Sequence, residues 1–223
     1  MKTLIKQYTV FVVGLAVMAL AIATMSHAAL GISPVQSLSY VIYNRFSQYI
    51  SLGTLMFIWN CILFVMQPIL LGRRFKPINI LQLPLSLFFS WAVDAFVSLL
   101  SFISPTLFIW KLLLMLASVV TLALGISITL AARTIMNPGE AFVAALAERS
   151  GSPFSRVKTA TDIGIISAAL IASFAFFGRW RSDIIGLGTL TSGIGVGFLI
   201  RFFNKILAPV AKKMCNKERK KEI

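Results

Sequence analysis

Six apolar stretches, each long enough to cross a lipid bilayer as a helix, constrain this chain more than any other feature. A spanning helix needs roughly 20 mostly apolar residues, because each residue advances the helix by about 1.5 Å. The predicted spans are residues 8–30, 53–71, 80–102, 112–132, 161–177 and 184–203. With 58% hydrophobic and only 13% charged residues, the composition excludes a soluble globular domain and a disordered chain. We therefore predict an all-α polytopic membrane protein.

The basic residues are distributed unevenly between the predicted loops. Lys and Arg gather on the cytoplasmic side of membrane proteins. With the N-terminus inside and six spans, 17 of the 21 Lys and Arg residues are cytoplasmic, and only Arg45, Lys111, Arg179 and Arg181 are outside. We therefore predict six spans with both termini in the cytoplasm. The formal net charge of +14 thus indicates topology, and nucleic acid is not an expected partner.

The same charge pattern predicts the domain organisation. Residues 1–209 are expected to form a single transmembrane domain in the lipid bilayer, and residues 210–223 a basic cytoplasmic tail that contacts anionic lipids. The first 29 residues also match the template of a cleaved signal peptide. We expect the first span to be retained, because its removal would take away part of an internal repeat.

That repeat relates residues 8–102 to residues 112–203. Each half contains the pattern Ser or Asn, Pro, any residue, Gln or Glu, which begins a helix: the first residue caps it, Pro fits its first turn, and the last can reach back to the cap. The two copies are Ser33-Pro34-Val35-Gln36 and Asn137-Pro138-Gly139-Glu140. A Gly-Arg pair follows each Pro, 38 residues after Pro34 and 40 after Pro138. Three spans per copy predict that the second copy is inverted, as in many secondary transporters.

Two short segments follow these helix starts, at about residues 34–46 and 138–149. They are too short to span a bilayer, so they are either re-entrant half-helices or amphipathic helices on the membrane surface. We favour re-entrant helices, because both segments are more apolar than a loop requires.

Four sequence patterns together resemble one known group of proteins. They are LGISP at residues 30–34, NPGEAF at residues 137–142, Asp162, and IGLGTL at residues 185–190. The combination is similar to the YczE/YyaS/YitT group of bacterial integral membrane proteins, over nearly the whole chain up to about residue 203. The resemblance implies a polytopic inner-membrane protein, commonly suspected of transport, and assigns no role to any single residue.

Acidic residues in or near the spans are the first candidates for function, because a charge at the centre of a span is costly and tends to face a cavity or a partner. Asp94 is predicted deep in the third span, either as a proton or cation site or as a neutral carboxyl that joins helices. Asp162 can form an ion pair with Lys158 one turn earlier, or it can take part in coupling transport to an ion or in binding the substrate. Glu140 is explained by its capping position, with a functional role as the alternative.

Polar and glycine residues give a second set of candidates. Asn60 and Gln67 lie seven residues apart on one face of the second span, which suits hydrogen bonds between helices, with cavity lining as the alternative. The glycines from Gly186 to Gly197 favour close helix packing, and unwinding near Gly186 would instead expose backbone carbonyls to a ligand. The predicted substrate or ion pathway comprises Asp94, Asp162, Glu140, Asn137, Ser33, Gln36, Asn60, Gly186, Gly188 and Thr189.

The sequence lacks the usual signatures of an enzyme. It has a single His, no matched nucleophile and base, and no phosphate-binding loop. We therefore predict no enzymatic activity, cofactor or metal. The expected function is a secondary transporter or exporter of a small solute. Two alternatives stay open: a substrate-binding subunit of an energy-coupling-factor-type importer, and a membrane accessory protein that transports nothing.

Overall fold

The computed structural model describes the backbone of residues 2–219 and the side chains of residues 5–208. The side chains of Cys215 and of the basic tail from Lys212 onward lie outside this range. Eight α-helices, and no β-strand, occur in the described part. They are α1 (Lys2–Ala28), α2 (Ser37–Phe46), α3 (Leu52–Leu71), α4 (Gln82–Leu99), α5 (Phe108–Ala132), α6 (Pro138–Ser150), α7 (Phe154–Phe177) and α8 (Leu187–Arg219). Short 3-10 helices at Pro34–Gln36, Gly72–Arg74 and Pro77–Leu81 precede α2 and connect α3 to α4.

Six of these helices are long and apolar enough to cross a membrane, which confirms the predicted all-α fold. The candidate spans are Ile5–Ala28, Leu52–Arg74, Pro77–Leu99, Phe108–Ala132, Phe154–Phe177 and Leu187–Ala208. The fifth differs most from its predicted bounds, since α7 begins seven residues before residue 161. Pro153 starts the helix there, because its carbonyl accepts hydrogen bonds from the N–H groups of Arg156 and Val157. Residues 154–160, which lie outside the predicted span, are therefore helical.

Helices α1 and α5 form the centre of the bundle and run antiparallel. Gly14 of α1 lies against Thr129 of α5, and Thr24 of α1 accepts a hydrogen bond of 2.8 Å from the Ser118 hydroxyl of α5. A Cβ atom added to Gly14 would come within 2.6 Å of the Thr129 side chain, so the glycine is what permits this close approach. Half of the residues in the most apolar stretch of α1 are buried, so α1 is part of the core.

The packing pairs around this centre repeat. Helices α1 to α4 correspond to α5 to α8. The contact of α1 with α4 corresponds to that of α5 with α8, and the contact of α3 with α6 corresponds to that of α7 with α2. The contact of α2 with α3 corresponds to that of α6 with α7. The repetition fails at two pairs over the described residues. Helix α3 packs against α4 whereas α7 and α8 hardly contact each other, and α1 contacts α8 whereas α5 and α4 hardly contact each other.

The short helices α2 and α6 begin side by side and end far apart. A Cβ atom added to Gly139, in the first turn of α6, would lie 3.2 Å from the Val35 side chain just before α2. At the other end of α2, the Phe46 ring contacts Phe176 near the end of α7. At the other end of α6, Glu148 pairs with Arg74 after α3, at 3.2 Å. The two helices therefore run to opposite ends of the bundle.

Candidate functional site

A cavity of about 490 Å³ lies where the N-terminal ends of α2 and α6 meet. Its wall comes from α1, α5, α6, α7 and α8 and from the segment before α2, with one residue of α4. The apolar part includes Met18, Ile22, Leu122, Ile126, Val196 and Ile200. The polar part includes Ser33, Gln36, Asn137, Glu140, Lys158 and Asp162. The structure thus brings together five of the ten predicted pathway residues in one mostly apolar cavity of ligand size.

The two helix starts have the predicted backbone but not the predicted hydrogen bonds. Ser33 and Asn137 occupy the N-cap positions with Pro directly after them, yet neither side chain makes a capping hydrogen bond. No hydrogen bond from the Gln36 or Glu140 side chain to the backbone N–H of the cap occurs among the described residues, although the Asn137 side chain hydrogen-bonds the Glu140 carboxyl. Instead, the Oε1 atom of Gln36 and the Oε2 atom of Glu140 are buried without a hydrogen-bond partner among the described residues.

These unpaired oxygens, together with the cavity that they line, make this place the candidate binding site. Nearly all buried polar atoms in proteins have a hydrogen-bond partner, and the two oxygens belong to equivalent positions of the repeated pattern. The first N–H groups of a helix are free of intrahelical partners and attract negative or electron-rich groups. The cavity therefore offers acceptors from two side chains beside the donors of two helix ends.

The charged groups of the cavity are one ion pair and one carboxyl. The Lys158 ammonium donates a hydrogen bond of 2.6 Å to Asp162 Oδ2, one turn along α7, which confirms the predicted pairing. Burial raises the pKa of the Glu140 carboxyl in α6, which is not a membrane span, although Lys158 and Asn137 oppose that shift. The cavity thus contains one internal ion pair and one carboxyl whose burial favours the protonated form.

Asp94 lies outside this cavity, near the C-terminal end of α4. Its Oδ2 atom accepts a hydrogen bond of 2.6 Å from the Ser51 hydroxyl, and its Oδ1 atom accepts one of 2.7 Å from the Gly53 N–H. A carboxylate at the N-terminal end of a helix is favourable, and Gly53 is in the first turn of α3. This arrangement agrees with the interpretation of Asp94 as a carboxyl that joins helices.

Three more predicted residues pack at the junction of α1 and α8 and not in the cavity. The Gly188 N–H donates a hydrogen bond of 2.7 Å to the Leu30 carbonyl. A Cβ atom added to Gly31 would lie 2.5 Å from the Thr189 hydroxyl and 2.9 Å from the Gly186 nitrogen. The glycines here allow close packing, which was the favoured interpretation.

The polar residues of α3 are also away from the cavity. Gln67 and Gln82 are buried and exchange two hydrogen bonds of 2.9 and 3.2 Å between their side-chain amides. The prediction that Gln67 joins two helices is therefore confirmed. Asn60 is buried as well, but its amide atoms have no hydrogen-bond partner in the described part of the chain.

Sequence reasoning missed the part of the cavity wall that comes from α8. Gly193 and Gly197 were expected to pack against a helix, yet both line the cavity. A Cβ atom added to Gly197 would meet nothing within 4 Å, and one added to Gly193 would meet only the Pro34 ring, at 3.3 Å. A usable signal was present, because Arg201 follows these glycines at the same four-residue interval and a charged residue does not suit a tight interface.

A second cavity, of about 580 Å³, opens at the end of the bundle where Arg74, Lys76 and Arg133 line its wall. We call this the basic end. Met136 lines both cavities and therefore lies between them. No group of three or more His, Cys, Asp or Glu side chains that could hold a metal ion occurs within the described residues.

One comparison with known proteins gives a match. The model of a family described as "Family of unknown function (DUF6198)" matches residues 5–205. Neither a curated protein nor a solved structure matches the chain.

Proposed function

The chain belongs to the family of unknown function DUF6198, and we propose that it is a secondary transporter or exporter of a small solute in the bacterial inner membrane. The observation that carries the proposal is the cavity at the meeting point of α2 and α6, in which the Gln36 and Glu140 oxygens are buried and unpaired. Such a site needs a ligand or a proton to satisfy it. The resemblance to the YczE/YyaS/YitT group stays a prediction that points the same way.

The packing of the helices supports an inverted repeat. Exchanging α1 with α5, α2 with α6, α3 with α7 and α4 with α8 maps three packing relations onto three others. The antiparallel contact of α1 with α5, from Gly14 beside Thr129 to Thr24 beside Ser118, is what two oppositely oriented copies would make. In transporters of this kind the two copies enclose the substrate site between them.

The path of the short helices supports the re-entrant interpretation. Helices α2 and α6 begin beside each other at the cavity and end near Phe176 and Arg74, at opposite ends of the bundle. Surface helices would lie along one end and would not meet in the interior. Discontinuous helices that meet inside the membrane with their N-terminal ends at the substrate are typical of secondary transporters.

The cavity residues suggest how a solute and a proton would be handled. Glu140 is the group that we assign to proton or solute binding, because it is the carboxyl with a raised pKa and an unpaired oxygen. Lys158 and Asp162 supply a charge pair to polar groups of the solute. Access from the basic end requires movement of Met136, and access from the other end requires separation of Gly188 from Leu30.

The remaining assignments are part of the same proposal. Both termini are cytoplasmic, so the basic end faces the cytoplasm, and the tail contacts anionic lipids. Neither an enzymatic step nor a cofactor is needed, because the transport that we propose uses binding energy and an ion gradient only.

The proposal is tested first by binding. Purified protein in detergent is heated with a panel of metabolites, and a solute that binds the cavity stabilises the folded state by about 2.7 kcal/mol at one hundred times its Kd. Glu140→Gln and Asn137→Ala should reduce this stabilisation. Asp94→Asn is the matched control outside the cavity and should retain it.

Solutes found in this way are then tested in proteoliposomes that contain the purified chain alone. Counterflow of the solute, lost in Glu140→Gln and kept in Asp94→Asn, would agree with the proposal. Flux that is lost in Asp94→Asn and unchanged in Glu140→Gln would contradict our assignment of the site. Binding without flux, restored by a co-purified ATPase, would instead identify an importer subunit, and the absence of any binding solute would favour an accessory protein.

A further inference from the structure

The cavity between the two halves opens sideways between α7 and α8. Ser155 and Thr159 of α7 and Gly193 and Gly197 of α8 line the cavity, yet all four residues are exposed. Over their described residues α7 and α8 hardly contact each other, and the exposure of these four residues shows that the gap between the two helices is open. Both helices are candidate membrane spans, so the gap faces the lipid.

The α8 side of this gap changes from glycine to basic residues along one row. Gly193, Gly197, Arg201 and Lys205 follow each other at intervals of four residues, which places neighbouring members on one side of a helix. All four are exposed. The glycines leave room beside α8, and the row then presents two positive charges toward the basic end.

Arg201 lies inside an apolar span and has no acidic partner among the side chains of residues 5–208. It belongs to the span Leu187–Ala208, and its guanidinium lies over the Phe198 ring at 5.9 Å. None of the ion pairs among the side chains of residues 5–208 includes it. A charge within a span is costly without a counter-ion, and a guanidinium binds phosphate oxygens in a paired, directional geometry.

We propose that the gap between α7 and α8 binds an anionic phospholipid from the surrounding bilayer. Its phosphate is held by Arg201 and Lys205, and one acyl chain lies in the gap against Val196 and Ile200. The two chemical requirements of this ligand, a negative head and an apolar chain, match the exposed basic side chains of α8 and the apolar side chains of α8 that line the cavity. The proposal goes beyond the transport function and does not depend on it, because a resident lipid would seal the gap whether or not a solute moves.

The test uses photoactivatable phospholipids in nanodiscs that hold the purified full chain. Phosphatidylglycerol and phosphatidylcholine probes with the same diazirine-labelled chains are compared, and the cross-linked residues are mapped by mass spectrometry. We expect phosphatidylglycerol to label the α7–α8 gap more strongly than the lipid-facing residues of α4, such as Leu87 and Trp91. Removing one charge in Arg201→Gln should lower this labelling about fivefold, the effect of roughly one basic residue near a lipid headgroup.

Two further variants keep the result interpretable. Arg73→Gln removes an exposed charge at the basic end, outside the gap, and should leave the labelling unchanged. Gly197→Leu fills the gap where a Cβ atom meets nothing within 4 Å, so it should fold normally and reduce labelling by the phosphatidylglycerol chain.

Several outcomes would overturn the proposal. They are equal labelling of the gap by both lipids, equal labelling around the whole perimeter, and labelling that Arg201→Gln does not change. A second copy of the chain could also cover the gap. In that case both lipids would be excluded, and Gly197→Cys, in a background with Cys61 and Cys215 replaced by Ala, would form a disulfide between copies.

Discussion

The pair α3–α4 and the pair α7–α8 occupy equivalent places in the two halves, yet only the first is closed. Asp94 and Gly53 join α3 to α4 near one end, and the Gln67 and Gln82 amides join them near the other. In the second half, Lys158 and Asp162 pair within α7 itself, so no such link to α8 is made. The comparison shows that polar side chains close a helix pair when they bond across it, as between α3 and α4. Polar side chains that pair within one helix, as in α7, leave the neighbouring helix free.

The proposed binding of a solute uses the open half of the molecule. The closed pair contributes only Phe89 of α4 to the cavity at the start of α6, and its buried Gln pair and close backbone contact are expected to resist movement. The open pair borders the cavity. Among the described residues that line the cavity, the charged ones are Lys158 and Asp162 of α7 and Glu140 of α6. We therefore expect that substitutions in α3–α4 change mainly stability, whereas those in the cavity change mainly binding.

The largest difference is expected between two glycine substitutions. In Gly53→Ala, the new Cβ atom would lie 2.1 Å from the Ser90 carbonyl oxygen of α4, so the backbones must separate. Overpacking typically costs about 1–3 kcal/mol and occasionally more, and a contact with backbone belongs at the upper end. In Gly197→Ala the Cβ atom meets nothing within 4 Å, so no packing is lost, and the higher helix propensity of Ala should raise stability by up to about 1 kcal/mol. Unfolding in detergent, followed by circular dichroism, measures both, and equal losses would mean that the two pairs are not different.

A smaller effect is expected at the carboxyl that joins α3 to α4. Asp94→Ala leaves the Ser51 hydroxyl and the Gly53 N–H without their acceptor, which should lower the free energy of unfolding by about 2–3 kcal/mol. Asp94→Asn keeps one oxygen acceptor and should lose less. The same unfolding assay measures both variants.

Ser51→Ala provides the control for that substitution. If the hydrogen bond between the two side chains carries the effect, the losses in Asp94→Ala and Ser51→Ala are not additive in the double variant. A fully additive result, or full stability of Asp94→Ala, would favour the alternative that Asp94 is retained for ion binding.

Much of the fold follows from local sequence patterns. The six spans are recognisable because the lipid requires long apolar runs. The starts of α2 and α6 are recognisable because Pro34 and Pro138 directly follow residues that favour the N-cap position, and Pro is preferred in the first turn of a helix. The meeting of these starts at one cavity follows from the repeat. The start of α7 was predicted too late, since Lys158 and Asp162 interrupt the apolar pattern without interrupting the helix.

The details of the site depend on tertiary packing that one sequence does not encode locally. A glycine that packs, such as Gly188 against Leu30, and a glycine that lines a cavity, such as Gly197, have the same local signature. Asp94 was placed too deep, because the apolar pattern continues to residue 102 whereas α4 ends at Leu99. The capping hydrogen bonds at Ser33 and Asn137 were predicted from pattern alone, and the structure lacks them.

The smallest effect, taken per pH unit, is expected from a change of pH at Glu140, which occupies the position of Gln36 in the first half. Burial raises the pKa of Glu140 above its usual range, so the folded state holds a proton that the unfolded chain releases. Stability from this group is therefore fully present below the ordinary glutamate pKa and is lost as pH rises through the raised pKa. Within that window each pH unit costs up to about 1.4 kcal/mol, or roughly 2–4 °C in Tm for a chain of this size.

Glu140→Gln should abolish this dependence, because the amide resembles the neutral carboxyl and makes the second half like the first. Between pH 5 and pH 8, the Tm of the unmodified chain should then fall relative to the Tm of the variant. Glu148→Gln, at an exposed position of the same helix paired with Arg74, is the control and should follow the unmodified chain, since exposed ion pairs contribute little. Parallel curves for Glu140→Gln and the unmodified chain would mean that Glu140 is already ionised in the folded state, and that the two halves differ in charge as well as in packing.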